Sequence, residues 1–204
     1  MEINHYIDYT FLKSDATMEE METFCEKAKE NHYTCVCVTP YYTALVSALL
    51  KDSNVLVASV IGYPFGMSTL EVKSYEAIDA INNGADEIDF FLNAAIIKNK
   101  EYEELKDEIE EIRDSIDGKP LKVILNGEFT EEELIKVVEI SNETYVHYLG
   151  FFKTDGTTKN MLMKLKEHGN GVLEWKVFTS DLSDETILSY IESGVTRISV
   201  LEEE

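Results

Sequence analysis

Lys153 follows an apolar run and precedes a glycine-containing turn in the segment FFKTDGT, residues 151–157. A lysine is costly to bury, so three explanations compete: its ammonium reaches solvent, it binds an anion, or its amine is a nucleophile. A second lysine, Lys176, lies in the next apolar run. If the two runs are adjacent parallel strands, about 4.8 Å apart, the like charges depress at least one lysine pKa. A lysine with a lowered pKa can attack a carbonyl and form a Schiff base.

An aspartate adds the proton chemistry that such a reaction needs. Asp89 lies within the apolar run ADEIDFFLN and could move protons through a water if it shares the site with the lysines. Simpler interpretations remain open at this point. A lysine at the end of a strand is often a surface group or a phosphate ligand, and Asp89 could be a hydrogen-bonded polar group of the core.

The surrounding chain alternates short apolar runs with amphipathic, charged stretches. Eight runs are predicted to be β-strands because they are short, rich in Val, Ile and Phe, and separated by helical patterns; they are residues 4–12, 33–39, 55–63, 87–93, 121–126, 146–153, 172–178 and 197–201. Strands that alternate with helices predict right-handed βαβ units and a parallel sheet.

The helical stretch 15–31 has a capping-box pattern in Thr17 and Glu20 and an apolar stripe behind it. We predict an α/β fold, a (β/α)8 TIM barrel formed by one domain over residues 1–204, with an extra N-terminal helix and a reduced final helix. The competing architecture is an open doubly wound sheet. The absence of a dinucleotide-type glycine fingerprint and of a P-loop favours the barrel.

Composition restricts the partners. The 40 acidic and 18 basic residues give a net charge of −22, which disfavours nucleic acid and anionic membranes. The sequence has no apolar run of membrane-spanning length and no signal-peptide layout, so we expect a cytoplasmic protein. The three cysteines are expected to be reduced packing residues. The four histidines show no ligand spacing and no CxxC is present, so we expect no metal site.

In a barrel, the active site is formed at the carboxyl ends of the strands. The polar residues at those predicted ends are therefore the candidates for chemistry: Asp8, Thr39, the turn 62–66, Asp89, Asn93, Asn126, Lys153 and Lys176.

Several segments resemble deoxyribose-phosphate aldolase, a class I aldolase family of the (β/α)8 fold. They occur in the order of that family and cover nearly the whole chain: IDYTFLKSDAT, CVCVTPYY, VASVIGYPFG, EVKSYEAIDAINNGADEIDFFLN, LKVILN, FFKT and YIESGVTRIS. The combination of GYPFG, EVKSYEA and NGADEID is the most specific of these.

This resemblance implies a function for individual residues. Lys153 matches the Schiff-base lysine, Lys176 the lysine that lowers the pKa of its partner, and Asp89 the proton-shuttling aspartate. Asp8 matches an acidic residue that helps organise the site, and Cys37 a strand cysteine near the substrate. Thr154 and Asn126 complete the predicted substrate-binding set.

The implied reaction is the reversible cleavage of 2-deoxy-D-ribose 5-phosphate into glyceraldehyde 3-phosphate and acetaldehyde, a lyase step of deoxyribonucleotide catabolism. It needs no metal or organic cofactor because the imine is the electron sink. The expected partner is a small aldehyde or sugar phosphate. A homodimer is also compatible with a barrel face exposed by a reduced final helix.

The sequence departs from the family at three loops that help to hold phosphate. KTDGTTKN replaces a Thr-Ser-Thr-Gly loop, VFTSD replaces Ala-Ser-Gly-Gly, and the chain reads SVLEEE after the eighth strand. Two alternatives therefore stay open: an aldolase for unphosphorylated aldehydes, and a catalytically impaired relative that acts as a binding or regulatory barrel. A further concern is Glu174, since a carboxylate on the same strand face as Lys176 would raise the pKa of a neighbouring lysine.

Overall fold

Eight parallel strands form a closed barrel in which each strand pairs with its sequence neighbours and β8 pairs with β1. The structure is a computed structural model that describes residues 3–152 and 158–202. The strands are β1 Ile7–Phe11, β2 Cys35–Val38, β3 Leu56–Ile61, β4 Glu87–Phe91, β5 Leu121–Leu125, β6 Tyr148–Phe151, β7 Glu174–Thr179 and β8 Arg197–Leu201. The predicted (β/α)8 barrel and its eight strands are confirmed.

Helices connect the strands on the outside of the barrel. They are α1 Met18–Glu30, α2 Pro40–Leu50, α3 Leu70–Asn82, α4 Ala94–Lys98, α5 Tyr102–Ser115, α6 Glu131–Glu143, α7 Thr158–Lys166 and α8 Asp184–Glu192. The short α4 between β4 and α5 was not predicted. Within the described residues, none of the helices is long and apolar enough to cross a bilayer.

The predicted capping box at the start of α1 is present. The Glu20 backbone N–H donates to Thr17 Oγ1 at 3.2 Å, and the Thr17 N–H donates to Glu20 Oε2 at 2.6 Å. These bonds satisfy two backbone donors that a helix start otherwise leaves unpaired. The stripe behind the cap is buried as expected, at Met21, Phe24, Cys25 and Ala28.

The N-terminal region differs in one respect from the prediction. Residues Ile3–Tyr6 form a 3₁₀ helix rather than the first part of β1. The Asn4 side chain donates to the carbonyl of Asn31 at 2.7 Å, which anchors this turn to the end of α1. Because α1 connects β1 to β2, it is the regular helix of the first repeat, and the 3₁₀ helix is the element that precedes the barrel. In the described residues, no helix follows β8.

Candidate active site

Six charged side chains meet inside the barrel, three carboxylates and three cations. All are buried, and their formal charges balance; they are Asp8, Glu87, Asp89, Lys122, Lys176 and Arg197. We call them the charged hexad. A buried charge is tolerated only when it is paired and hydrogen-bonded. The internal charge balance therefore explains how one barrel interior holds six such groups.

Strand alternation places the hexad inside. Successive side chains of a strand point to opposite faces, so residues two apart share a face. On β4, Glu87 and Asp89 point inward, whereas their neighbours Ile88 and Phe90 belong to the apolar core. The remaining members come from β1, β5, β7 and β8, and no local segment of sequence contains more than two of the six.

Lys176 is bound by two carboxylates. Its Nζ lies 2.9 Å from Asp8 Oδ2 and donates a hydrogen bond to Asp89 Oδ2. Burial lowers the pKa of Lys176, but the attraction of Asp8 and Asp89 outweighs burial, and the pKa is raised. Lys176 is therefore held as a positive charge, and a charged amine is not a nucleophile.

Lys122 contacts all three carboxylates of the hexad and was missed in the sequence. Its Nζ lies 2.5 Å from Glu87 Oε2, 3.1 Å from Asp89 Oδ1 and 3.2 Å from Asp8 Oδ2. Burial lowers the pKa of Lys122, and the surrounding carboxylates raise it well above its usual value. The available signal was a lysine within the apolar run LKVIL, since a strand that is buried along its whole length leaves a lysine no exposed face.

Arg197 closes the network from β8 and was also missed, together with Glu87. Its Nε donates to Asp8 Oδ1 at 2.6 Å, and its two terminal nitrogens donate to Glu87 at 3.2 and 2.8 Å. This two-point contact suits the planar guanidinium group. Arg197 is the first residue of the run RISVL. Its contact with Asp8 could not be predicted from the sequence because 189 positions separate the two residues.

The three carboxylates are ionised. Burial raises their pKa values, but the neighbouring cations of the hexad outweigh it, so the pKa values of Asp8, Glu87 and Asp89 all lie below their usual range. Asp89 thus enters any reaction as a carboxylate that accepts protons or hydrogen bonds.

Two predicted substrate-binding residues border this network. The Cys37 thiol is buried and donates to Asp89 Oδ2 at 3.6 Å. Burial and the Asp89 carboxylate raise the Cys37 pKa well above its usual value, so the thiol stays protonated. The Asn126 side-chain amide donates to the carbonyl of Pro64 at 2.8 Å, which ties the end of β5 to the loop after β3. Lys153 and Thr154 lie outside the described residues.

Four aromatic side chains border the interior near the carboxyl ends of the strands: Tyr63, Phe91, Phe152 and Phe178. The ring centroid of Phe152 lies 5.1 Å from that of Phe91 and 5.0 Å from that of Phe178, and both pairs are edge-on. The Lys176 Nζ lies 5.0 Å from the Phe178 ring centroid. We call these residues the aromatic wall.

The concern about Glu174 was wrong. Glu174 is the first residue of β7 and is exposed, at the amino end of the barrel. It shares the face of Lys176 by alternation, but it lies toward the opposite opening, where it interacts with the Tyr148 side chain. The carboxylates that raise the pKa of Lys176 are Asp8 and Asp89 instead.

Among the described residues, one group has the side chains for a metal ion. Ligand atoms of Asp8, Cys35 and Glu87 lie within 4.8 Å of one another. Lys122 and Arg197 already neutralise the two carboxylates, and burial and those carboxylates raise the pKa of the Cys35 thiol. A divalent cation there would have to displace two buried cations and a proton, so these residues fit an ion-pair network better than a metal centre.

Comparison with known proteins places these observations in a family. The DeoC/LacD family aldolase profile matches residues 3–139. The deoxyribose-phosphate aldolase of Clostridium tetani is 38% identical over 203 residues, which cover 97% of this chain and 94% of that protein.

Solved structures agree with the sequence matches. The structure described as QR15, an aldolase, superposes with a TM-score of 0.91 at 32% identity and covers 98% of this chain and 91% of its own. The tetrameric deoxyribose phosphate aldolase of Aeropyrum pernix has a TM-score of 0.87 at 24% identity, with 97% and 86% coverage, which supports the shared barrel fold.

Proposed function

Because the chain belongs to the DeoC/LacD family of aldolases, we propose that it is a class I aldolase that reversibly cleaves 2-deoxy-D-ribose 5-phosphate into glyceraldehyde 3-phosphate and acetaldehyde. The observation that carries this proposal is the Lys176 ammonium, held charged by Asp8 and Asp89 in the centre of a barrel of that family. A fixed positive charge near a second amine favours the neutral, nucleophilic form of that amine.

Lys153 supplies the second amine in this proposal. Its nitrogen attacks C1 of the open-chain sugar, and loss of water gives a protonated imine. The C3 hydroxyl then loses its proton, the C2–C3 bond breaks, and its electron pair moves through C2 to the imine as an enamine. Glyceraldehyde 3-phosphate leaves with C3 as its aldehyde carbon. Protonation of the enamine at C2 and hydrolysis of the imine release acetaldehyde and restore Lys153.

Asp89 is the proposed proton carrier. It starts as a carboxylate because Lys122 and Lys176 lower its pKa against the effect of burial. In the cleavage direction it accepts the C3 hydroxyl proton through a water, and it returns a proton to C2 of the enamine. Asp8 is proposed to fix Lys176, and Cys37 to fix Asp89. Roles for Thr154 and Asn126 in holding the substrate stay predictions.

The test is reductive trapping. Acetaldehyde and borohydride should ethylate Lys153 selectively in the native protein, and peptide mass mapping will locate the label with the exposed lysines as internal controls. Turnover of 2-deoxyribose 5-phosphate should fall to background in Lys153→Leu. Labelling without preference for Lys153, together with no turnover, would reject the aldolase and favour the binding-barrel alternative.

A second candidate, an aldolase for unphosphorylated aldehydes, is favoured by the residues that follow β7 and β8. Barrels commonly bind phosphate with the loops after strands seven and eight. Here the described residues of those positions, 180–183 and 202, include the carboxylates Asp181 and Glu202 and no basic side chain. Lys27 and Tyr9 hold Glu202 in place.

The two sugars distinguish these candidates. If phosphate is not gripped, kcat/KM for 2-deoxyribose should lie within about tenfold of the value for its 5-phosphate, since no binding energy comes from phosphate. Asp181→Asn should then lower KM for the phosphorylated sugar alone. A kcat/KM ratio of several hundred in favour of the phosphorylated sugar would leave only the first candidate.

We also propose self-association through α3. Val72, Tyr75 and Ile78 are exposed at intervals of three residues, and the nearby Phe65 and Met67 are about 70% exposed. Apolar side chains grouped in this way indicate an interface, and a second copy of this chain is the proposed occupant. Light scattering should give the mass of a dimer for the native chain and of a monomer for Tyr75→Glu; Tyr145→Glu, at an exposed tyrosine elsewhere, is the control. A monomeric native chain would contradict the proposal.

The cysteines support a proposed location in the cytoplasm. Cys25, Cys35 and Cys37 are all unpaired and buried. Thiols that stay reduced are typical of the cytosol. Fractionation of the native host cells should recover the protein with the cytosolic markers.

A further inference from the structure

A second buried ion pair lies outside the barrel interior, between α3 and α5. The Lys73 side chain is fully buried and the Glu108 side chain is 6% exposed. The Lys73 Nζ donates to Glu108 Oε1 and lies 5.2 Å from the ring centroid of Phe90 on β4. The pair has no contact with the charged hexad, and the chemistry proposed above does not use it.

The pair is bonded to the loop between β3 and α3. We call residues 62–66, GYPFG, the glycine loop. The Lys73 Nζ donates to the carbonyl of Gly66 at 2.6 Å. Glu76, one turn further along α3, accepts from the Gly62 N–H at 2.8 Å. The loop closes on itself through the Gly66 N–H, which donates to the Gly62 carbonyl at 2.7 Å. Side chains of α3 therefore hold both ends of the glycine loop.

The glycine loop rests directly on the backbone that follows β4. A Cβ atom at Gly66 would lie 2.3 Å from the carbonyl oxygen of Leu92, and one at Gly62 would lie 3.0 Å from that of Phe91. Both glycines also have positive φ angles, 66° and 68°, which other residues adopt at a cost. The glycine loop therefore lies in direct contact with the end of β4 and the residue after it.

The other side of the glycine loop faces the candidate active site. The Pro64 carbonyl accepts from Asn126 at 2.8 Å. The Tyr63 ring belongs to the aromatic wall, with its centroid 5.1 Å from Phe91 and 5.9 Å from Phe152. Phe152 is the residue that precedes Lys153. A continuous set of contacts thus runs from α5 through α3 and the glycine loop to Phe152 of the aromatic wall.

Burying an ion pair in this space carries a desolvation cost that an apolar pair would not have. Burial raises the pKa of Glu108 even with Lys73 beside it, and two apolar residues of similar volume commonly stabilise a core as well or better. What an apolar pair cannot supply is a donor for the buried Gly66 carbonyl. The ion pair is therefore better explained by its hydrogen bond to the glycine loop than by the packing of α3 against α5.

We propose that Lys73 and Glu108 form a positioning pair. The pair fixes the glycine loop and, through Tyr63 and Asn126, the aromatic wall and the end of β5 in the candidate active site. The inference rests on the proposed aldolase function. Loss of the pair lets the loop shift, which misplaces the sugar relative to the imine while leaving the charged hexad intact. A misplacement of about 1 Å can reduce turnover by about a hundredfold.

The experiment compares a double variant with the native enzyme. Lys73→Met/Glu108→Leu should remain folded by circular dichroism and unfold within a few degrees of the native chain, yet lose tenfold or more in kcat/KM. Its pH–rate profile should keep the native limbs because the titrating groups are unchanged. The matched control is Lys136→Met/Glu139→Leu, an exposed pair on α6, which should keep native kinetics.

A conservative variant keeps the test decisive if the double variant does not fold. Glu108→Gln retains an acceptor for Lys73 and should keep kcat/KM within about threefold, whereas Glu108→Ala should lose tenfold. Equal activity of the native enzyme and the folded double variant, or of the Gln and Ala variants, would overturn the inference. An inactive native chain would instead reject the proposed function, so the two failures are distinguishable.

Discussion

The Nζ atom of Lys176 lies 2.9 Å from Oδ2 of Asp8, and both side chains are fully buried. Asp8 contacts Lys122 and Arg197 as well, at 3.2 and 2.5 Å. One carboxylate of β1 is therefore shared by three cations from β5, β7 and β8. All three cations of the hexad therefore depend on Asp8 for part of their charge compensation.

Removal of the Asp8 charge should destabilise the fold strongly. Asp8→Asn keeps the side-chain shape but leaves the hexad with one uncompensated buried positive charge. Breaking one partner of a buried pair costs about 3–5 kcal/mol in free energy of unfolding. Urea denaturation measures the loss, and Glu174→Gln is the matched control because its carboxylate is exposed. A change below about 1 kcal/mol in Asp8→Asn would contradict the proposed dependence.

The stability conferred by Asp8 should vanish in acid. Its pKa is lowered in the folded state, so its contribution is complete above the unfolded pKa of about 4 and declines as the pH falls toward the folded value. The stability difference between the native chain and Asp8→Asn should therefore shrink by about 1.4 kcal/mol per pH unit below pH 4. Urea midpoints between pH 2 and 7 test this; a difference that stays constant over that range would refute it.

Loss of the Lys176 charge should move the pH dependence of catalysis. The proposed function places the amine of Lys153 near this charge. In Lys176→Met the pKa of that amine should therefore rise, and less of it should be neutral at pH 7. The acid limb of kcat/KM should shift upward by about one pH unit or more, with lower activity at neutral pH. Glu174→Gln should leave the profile unchanged. An unshifted profile in a folded Lys176→Met enzyme would show that the two lysines are not coupled.

The close contact of the glycine loop should be visible in two alanine variants. Gly66 and Gly118 have similar φ angles, 68° and 76°, but a Cβ at Gly118 meets nothing within 4 Å. Gly118→Ala therefore reports the backbone cost alone, about 1 kcal/mol. Gly66→Ala adds a clash with the Leu92 carbonyl and should cost about 1–3 kcal/mol more. Thermal unfolding of both variants gives the comparison. An equal loss of stability in the two variants would mean that the loop moves away from Leu92 at no cost in free energy.

The sequence alone determined the eight strands, most of the helices and three members of the charged hexad. Apolar runs with helices between them predict the eight strands, and Thr17 with Glu20 predicts the start of α1. These features are local, because hydrophobic period and capping depend on residues a few positions apart. Asp8, Asp89 and Lys176 were also identified as candidates, from their predicted places at the carboxyl ends of strands and from the family resemblance. The structure places them within β1, β4 and β7 rather than at the ends.

Only the tertiary structure decided how those charges are paired. Lys122, Glu87 and Arg197 join the site through contacts between different strands. Lys122 lies 114 positions from Asp8 and Arg197 lies 110 positions from Glu87, and no local pattern encodes such contacts. Alternation fixes the face of a strand on which a side chain lies but not its height in the barrel. Glu174 and Lys176 therefore share a face, while one lies exposed at the amino end and the other is buried. The direction of the Lys176 pKa follows from that height, because the carboxylates beside it come from β1 and β4.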